Sequence, residues 1–357
     1  MSRDTLLRIL ALARWAPSGD NTQPWRFEII GDDRLVVHCL DTRDWCVYDL
    51  DGRASEMAVG ALLETMRLAA GRFGYLARLA KVRSEEHLQV EMTISQQAGG
   101  QTTPDPLHAA IKDRRVCRRP LSIRPIGPDL EHALRDSLPQ GFTLAFYGSP
   151  GVRLNWARLL SSNGLARLLC PEAYQVHRRI IDWGRRFSRD RIPEQAVGVD
   201  PLTARLMRWV MRDWERVDFF NRYLMGTFLP RLQLDLIPGW MCGAHVALLA
   251  SGTPETSQDF LDAGSALQRL WLASTLHGLQ LQPEMTPVIF SRYVREDRRF
   301  TSNDKVWQLA RTNAERFTEL LAPHAAERVV FLCRLGFGPP AASRSLRLRV
   351  AKLLYKA

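Results

Sequence analysis

Cysteine is sparse and scattered in this chain, and long apolar runs are missing. The six cysteines form no Cys-x-x-Cys pair, which argues against both a zinc site and a disulfide framework. No apolar run approaches the roughly 20 residues that span a bilayer. Residues 1–4 lead directly into an amphipathic helical pattern, without a secretory apolar region. We therefore expect a cytoplasmic protein with reduced thiols and no integral membrane segment.

Several sequence signatures of catalysis and of nucleotide or nucleic-acid binding are also absent. The chain has no Gly-x-Ser-x-Gly elbow and no Gly-x-Gly-x-x-Gly loop after a strand. The formal charge of +11 raises the question of nucleic acid, yet no helix-turn-helix, zinc-finger or RNA-recognition signature accompanies it. The excess is mostly arginine and is spread along the chain. Such a basic surface also suits a phosphorylated cofactor or an anionic substrate, so we expect no nucleic-acid partner.

What is present is a long chain with ample apolar content. Its 357 residues, 46% of them hydrophobic, predict two domains or one large one. Periodicity predicts helices over 55–73, 107–113, 128–137, 203–224 and 259–276, and a basic amphipathic tail over 345–356. It predicts strands over 25–30, 34–40, 88–94, 142–147 and 329–336. The Gly/Thr/Pro-rich stretch 96–106 resembles a linker between two parts.

Two of the buried helices share a pattern. Gly60, Leu63, Leu68, Ala69 and Gly74 recur 204 residues later as Gly264, Leu267, Leu272, Ala273 and Gly278. Both copies are typical of a buried helix that ends at a glycine C-cap. Intervening positions such as Ala61 and Ser265 differ, so chance coincidence remains the alternative to an internal duplication.

The run from Ala16 to Trp25 concentrates turn formers, polar side chains and one large aromatic residue. Pro17-Ser18-Gly19-Asp20 has turn chemistry, and Asn21 and Gln23 each offer a donor and an acceptor. A helix precedes this run and a strand follows it. The simplest interpretation is a connecting turn; the alternative is a loop that presents polar groups to a flat ligand.

The same run resembles the Ala-Pro-Ser-x-x-Asn-x-Gln-Pro-Trp segment of the nitroreductase superfamily, whose members hold FMN. The resemblance implies that Pro17, Ser18 and Asn21 contact the flavin, and that Gln23, with the Pro-Trp pair after it, fixes the loop. It covers roughly residues 5–95, 105–150 and 235–350. It implies an α+β fold in two related halves, each with an antiparallel sheet flanked by helices. The halves, residues 1–100 and 105–357, would form an intramolecular pseudo-dimer, with a helical insertion at about 153–232.

Two basic clusters match segments that hold the FMN phosphate in this superfamily. Arg114, Arg115 and Arg118 match an Arg-Arg-Ser-x-Arg segment, although Val116 replaces its serine. Arg344 and Arg347 follow a Gly-Phe turn, as in the closing segment of the family. Guanidinium groups suit phosphate because they donate in parallel pairs. A solvated basic turn is the alternative.

The loop after the second glycine-capped helix matches the segment that lies beside the flavin ring. The resemblance implies that the main chain of Glu284 and Met285, after Pro283, donates to flavin N5, unless this is only a structural loop. Because only the first half has the Pro-Ser loop and only the second has the Arg-Arg segment, we predict one FMN per chain.

The resulting functional prediction is an FMN-dependent oxidoreductase that transfers hydride through flavin N5 to or from a specific metabolite, with NAD(P)H as a candidate reductant. No catalytic side chain is assigned; His245 is more typical of a core histidine. The substrate is predicted to be a small, anionic or aromatic molecule. Relatives in the duplicated branch also suggest a separate adenylate-forming biosynthetic enzyme as a partner.

Two alternatives remain. One is a flavin-sequestering or flavin-degrading protein whose site is covered, with little reductase activity. The other is a basic nucleic-acid- or partner-binding protein without flavin. Residues 183–232, rich in aromatic residues and arginine, are either a lid over the site or an ordinary amphipathic helix pair. The basic tail leaves membrane-surface binding open.

Overall fold

The computed structural model describes residues 1–83, 87–96 and 103–356. Most of the predicted linker, residues 97–102, therefore lies outside the described part. The helices are α1 (Arg3–Ala13), α2 (Arg53–Arg72), α3 (Pro128–Asp136), α4 (Pro150–Leu169), α5 (Pro171–Ile180), α6 (Pro201–Val210), α7 (Trp214–Tyr223), α8 (Phe228–Arg231), α9 (Ile237–Trp240), α10 (Ser257–Leu276), α11 (Met285–Arg295), α12 (Asp304–Leu320) and α13 (Val350–Leu353). Of the helices in these ranges, none is long and apolar enough to cross a membrane.

Within the described ranges, the strands form two four-stranded sheets and two short pairs. They are β1 (Trp25–Ile29), β2 (Arg34–Cys39), β3 (Tyr75–Arg83), β4 (Gln89–Gln96), β5 (Phe142–Tyr147), β6 (Ile181–Asp182), β7 (Phe187–Ser188), β8 (Ile192–Pro193), β9 (Ala244–Ala250), β10 (Leu279–Pro283), β11 (Val329–Phe337) and β12 (Arg344–Ser345). All strand pairs within the four-stranded sheets are antiparallel, which confirms the predicted α+β class.

The first sheet has the strand order β1-β2-β4-β3 and packs against α1 and α2. Alternate residues of β1, Trp25 and Phe27, are fully buried in its core because successive side chains point to opposite faces. The C-terminal tail runs beside β1, where the Tyr355 N–H donates to the Phe27 carbonyl at 2.8 Å.

The second sheet has the order β5-β9-β11-β10 and repeats the connectivity of the first. In chain order the first unit runs α1, β1, β2, α2, β3, β4, and the second runs α3, β5, β9, α10, β10, β11. Each helix of the pair α2 and α10 thus connects the second strand of its unit to the third. The long segment from α4 to α9 is inserted between β5 and β9, and α11 and α12 are inserted between β10 and β11.

Helices α2 and α10 pack directly against each other at the centre of the molecule. Both end as predicted, because Gly74 and Gly278 follow them with φ of +78° and +73°. Gln268 on α10 donates to Thr65 on α2 at 2.9 Å in the buried contact. The predicted burial of both helices is therefore confirmed.

Three predicted helices differ in the structure. The segment 203–224 contains two helices, α6 and α7, because the Asp213 side chain accepts from the Arg216 N–H and starts a new helix. The segment 107–113 forms a short 3₁₀ helix, Pro106–Ala110. The tail 345–356 holds only the four-residue α13, since its main chain pairs with neighbouring segments instead.

Candidate functional site

A cavity of about 380 Å³ lies where the two units and the inserted segment meet. Its walls come from the loop after α1, from α2 and α10, from the segment that precedes α3, and from the β10–α11 connection. Helices α4, α5 and α6 complete it. Six predicted site residues line this one cavity: Pro17, Ser18, Arg118, Pro283, Glu284 and Met285.

The loop after α1 has an unusual main chain. Asp20, Asn21 and Gln23 have φ of +52°, +64° and +50°, a region that non-glycine residues rarely adopt. The fully buried Gln23 side chain stabilises this conformation: its Nε2 donates to Asn21 O (3.1 Å) and Arg189 O (2.8 Å). Its Oε1 accepts from the Leu348 N–H at 2.9 Å. Gln23 thus ties the loop to the inserted segment and the C-terminal tail.

This arrangement separates the predicted loop residues into two groups. Pro17 and Ser18 line the cavity, and the Ser18 hydroxyl accepts from the Gln23 N–H at 3.0 Å. Asn21 and Gln23 lie outside the lining. Asn21 Nδ2 donates to Arg191 O at 3.2 Å, while its buried Oδ1 has no partner among the described residues.

The predicted arginines form a cluster behind the main chain at Trp15 and Ala16. Arg114 donates to Trp15 O at 2.9 Å and Arg347 to Ala16 O at 3.0 Å, while the Arg344 guanidinium lies 4.9 Å from the Trp15 ring centre. None of the three lines the cavity, although the Arg114 guanidinium lies 4.4 Å from the ring centre of Trp271, which does. Two of them, Arg114 and Arg347, are buried.

The electrostatics of this cluster favour an anion. Burial, and next the neighbouring guanidiniums, lower the pKa of Arg114 well below its usual value. Burial followed by Arg344 and Arg14 lowers the pKa of Arg347 to about 9. Neither shift is opposed by a carboxylate in the described part of the chain. An anion placed here would offset the repulsion among these buried charges.

Arg118 and Arg115 have different surroundings. Arg118 reaches the cavity and donates to Ala196 O of the inserted segment at 2.9 Å, and burial lowers its pKa to about 10. Arg115 donates to Ala341 O at 3.2 Å, outside the lining. The segment that carries both runs beside β10, where the Cys117 N–H donates to Leu281 O at 3.1 Å.

The β10–α11 connection differs in detail from its prediction. The Glu284 N–H already donates to Leu332 O at 2.8 Å, so this group has an acceptor within the protein. Met285 and Thr286 begin α11, and the first N–H groups of a helix have no acceptor inside it. The main-chain donors suited to a ligand are therefore those at the start of α11, and not that of Glu284.

The Glu284 side chain belongs to a buried ionic network. Its Oε2 lies 2.7 Å from His245 Nδ1 and its Oε1 3.0 Å from an Arg334 nitrogen. His245 Nε2 contacts Gly239 O at 2.8 Å. Burial opposes a charge on His245, but Glu284 raises the pKa of His245 to about 10. His245 itself is fully buried and lies outside the cavity lining, whereas Glu284 and Arg334 lie within it.

Sequence reasoning missed a second polar wall of the cavity. Tyr48 OH lies 3.0 Å from His177 Nε2, and Arg167 lies 3.4 Å from Asp235. Burial, and to a smaller extent Arg167, lowers the pKa of His177 to about 3, so the ring is neutral. Tyr48 comes from the connection between β2 and α2, Arg167 and His177 from α4 and α5, and Asp235 from the segment before α9. Their spacing along the chain carries no signal, and only packing brings them together.

One protein-family model matches part of the chain. The sequence model described as "Nitroreductase family" matches residues 1–51, the segment that includes α1, its loop and the first two strands. An uncharacterized protein of Mycobacterium tuberculosis (strain CDC 1551 / Oshkosh) is 24% identical over 329 residues. That alignment covers 91% of this chain but 44% of the relative, so the chain spans less than half of the relative's length.

Two solved structures are similar in part. One is a nitroreductase with bound FMN from Bacteroides fragilis, with a TM-score of 0.35 and 11% identity over 66% of this chain and 89% of that one. The other is a nitroreductase-like family protein from Bacillus cereus, with a TM-score of 0.34 and 14% identity over 72% of this chain and 99% of that one.

Proposed function

We propose that this chain, which is related to the nitroreductase family through its first 51 residues, is an FMN-dependent oxidoreductase. One observation carries the proposal. The Pro17-Ser18 loop and the Pro283–Met285 segment, far apart in the sequence, line one cavity. Just before that loop, the buried Arg114 and Arg347 bond the main chain at Trp15 and Ala16, and no carboxylate of the described residues raises the pKa of either arginine.

The residues present fit FMN. The cavity volume of about 380 Å³ falls in the range of small-ligand pockets. Gln282 Oε1, Asn163 Oδ1 and Arg334 Nε are buried at or near its wall and have no hydrogen-bond partner among the described residues. Such acceptors and donors suit the polar edge of a flavin ring. Arg114, Arg344 and Arg347 would hold the phosphate, for which guanidinium geometry is well suited.

Bound FMN would supply hydride transfer, which the protein's own side chains cannot perform. The first N–H groups of α11 would donate to the ring edge, and apolar side chains from α2 and α10, such as Met57 and Trp271, would exclude water. The neutral His177 and the Tyr48 hydroxyl hold protons at the cavity wall. We propose a specific metabolite as substrate and NAD(P)H as reductant.

We further propose that the two units with the same connectivity are halves of a duplicated fold, residues 1–100 and 105–357, with α4 to α9 as the main insertion. The equivalent strand orders of the two sheets, β1-β2-β4-β3 and β5-β9-β11-β10, support this duplication. One FMN per chain follows, because each half contributes a different part of the cavity wall.

A flavin-sequestering protein is the second candidate. Met207 and Met211 from the α6 region line the cavity, as do residues of α4 and α5, so the inserted segment covers one side of it. Such a cover would restrict access for an external substrate. The two candidates differ in one property: an oxidoreductase lets a nicotinamide reduce its bound flavin, whereas a sequestering protein does not.

The test compares FMN with riboflavin, which lacks the phosphate. The purified chain should bind FMN at one per chain and more tightly than riboflavin, as measured by quenching of flavin fluorescence. Arg347→Gln should weaken FMN binding by about 10- to 100-fold, the loss of a charge-assisted contact, and leave riboflavin binding unchanged. Arg119→Gln, in an exposed arginine of the same segment, is the matched control.

Absence of flavin binding, or equal affinity of the intact chain for FMN and riboflavin, would overturn the proposed site. Anaerobic mixing of the FMN-loaded protein with NADH or NADPH then separates the two candidates. Loss of the oxidised flavin spectrum supports an oxidoreductase, and an unchanged spectrum supports sequestration.

A further inference from the structure

Exposed apolar side chains are concentrated in one part of the inserted segment. Nineteen large hydrophobic residues are exposed in the described part of the chain, and nine of them fall between residues 202 and 229. We call this group the insert surface; it consists of Leu202, Leu206, Trp209, Phe219, Tyr223, Leu224, Met225, Phe228 and Leu229. Exposed hydrophobic residues are normal when scattered, but a contiguous group marks an interaction site.

Helix α6 is apolar on two opposite sides. Leu202, Leu206 and Trp209 follow i, i+4, i+7 spacing and are 76%, 44% and 45% exposed. The other side carries the buried Ala204 and the half-buried Met207, which lines the cavity. The packing of the protein therefore accounts for only one of these two apolar faces.

The aromatic rings of α6 and α7 are in contact with one another. The ring centres of Trp209 and Phe220 are 5.7 Å apart, those of Phe219 and Phe220 6.3 Å, and those of Phe219 and Tyr223 5.2 Å. The chain then turns back at residue 226, where the Gly226 N–H donates to Phe220 O at 2.9 Å. The half-buried Phe220 thus joins Trp209 and Phe219 of the insert surface, Tyr223 packs against Phe219, and the turn at Gly226 returns the chain to α7.

Arginines are interspersed with these apolar groups along the segment. The segment 201–231 contains six arginines and three carboxylates (Asp213, Glu215 and Asp218). Asp213 and Asp218 pair with Arg216 and Arg222, each at 2.8 Å, and Arg208 pairs with Glu194 at 3.0 Å. Arg205 and Arg212 are exposed. The insert surface therefore combines a net positive charge with exposed tryptophan, tyrosine and leucine.

We propose that the insert surface binds the surface of an anionic phospholipid bilayer. Amphipathic helices with Trp, Phe or Leu on one side and arginines around it bind at this interface, where phosphates neutralise the arginines and the rings enter the headgroup region. A second copy of the chain fits less well, because a two-fold contact would bring the arginines of both copies together. This inference does not depend on the proposed FMN site.

The test uses the full-length chain and vesicle flotation. Vesicles of phosphatidylcholine with about 30 mol % phosphatidylglycerol should carry the protein upward, and vesicles of phosphatidylcholine alone should carry much less. Added salt should release the protein, because screening weakens the attraction between arginines and phosphates. The double variant Arg205→Gln/Arg212→Gln should lose the preference for the anionic vesicles.

The apolar contribution is tested with matched pairs of leucines. Leu202→Ser/Leu206→Ser should lower the partition coefficient of the protein between vesicles and water at least about ten-fold, because binding would no longer remove two leucine side chains from water. Leu79→Ser/Leu276→Ser, at positions 42% and 44% exposed elsewhere, should leave it unchanged. Thermal denaturation of all variants checks that they fold.

Three results would overturn the proposal. One is absence of binding to either vesicle. Another is equal binding to both vesicle types. The third is a concentration-dependent dimer in sedimentation velocity that the Leu202/Leu206 variant abolishes, because the insert surface would then contact a second copy.

Discussion

Gly60 of α2 and Gly264 of α10 occupy reciprocal positions in the central helix pair. A methyl group on Gly60 would overlap the main-chain carbonyl of Leu261, and one on Gly264 would overlap that of Met57. Leu261 lies 204 residues after Met57, the same offset that relates the two glycines. The contact is therefore nearly symmetric between the two helices, which supports the proposed duplication.

Alanine at either glycine should destabilise the protein. A Cβ at Gly60 or Gly264 has no space unless the helices separate, so we expect the free energy of unfolding to fall by about 2–4 kcal/mol for each variant. Urea denaturation measures this loss. The two variants should lose similar amounts, because the surroundings of the two sites are equivalent.

Gly71→Ala provides the control in the same helix, because nothing lies within 4 Å of a methyl group there. It should raise stability by up to about 1 kcal/mol, since alanine favours the helix. If Gly60→Ala were as stable as Gly71→Ala, the close helix contact would be wrong.

Gln23→Glu tests the tie between the cavity loop and the rest of the molecule. The carboxylate would replace an amide that donates to two carbonyls, Asn21 O and Arg189 O. We expect a loss of about 2–4 kcal/mol at neutral pH in urea denaturation. The exposed Gln175→Glu is the control and should change stability by less than about 0.5 kcal/mol. Equal losses for the two variants would contradict the structural role of Gln23.

His245 should contribute a pH-dependent part of the stability. Its pKa is about 10 in the folded protein and 6.5 in an ordinary environment, so the folded state keeps a proton that the unfolded chain releases. The stabilisation of the folded state by protonated His245 is complete below pH 6.5 and disappears as the pH rises towards 10. In that window the free energy of unfolding should fall by about 1.4 kcal/mol per pH unit because of this group.

The measurement is urea denaturation at several pH values. The difference in stability between the intact chain and His245→Gln should be largest below pH 6.5 and should narrow as the solution becomes alkaline. His132→Gln, at an exposed position on α3, is the matched control. A difference that stays constant between pH 6.5 and 9 would show that the His245–Glu284 pair is not ionised.

Local sequence signals predicted the central helices and several strands well. The apolar spacing around Gly60 and Gly264 indicated buried helices, and the glycines at 74 and 278 marked their ends. These features depend on residues close together in the chain, since a helix face and a glycine cap are set within a few turns. The break at Asp213 was not predicted. An aspartate caps a helix only when its carboxylate accepts a hydrogen bond from a main-chain N–H of the first turn, and the amphipathic pattern does not show whether it does.

The sequence by itself determined that Pro17, Ser18, Arg118 and the 283–285 segment belong to one candidate site, through motif resemblance, and that two similar helices occur. Only the tertiary structure decided which polar groups of those motifs have hydrogen-bond partners within the protein and which can bind a ligand. Gln23 and the Glu284 N–H have partners within the protein, and the Tyr48 hydroxyl lies 3.0 Å from His177 Nε2 at the cavity wall. The physical reason is that a buried polar group is satisfied by whichever partner packing brings near it, and segments far apart in the chain supply those partners.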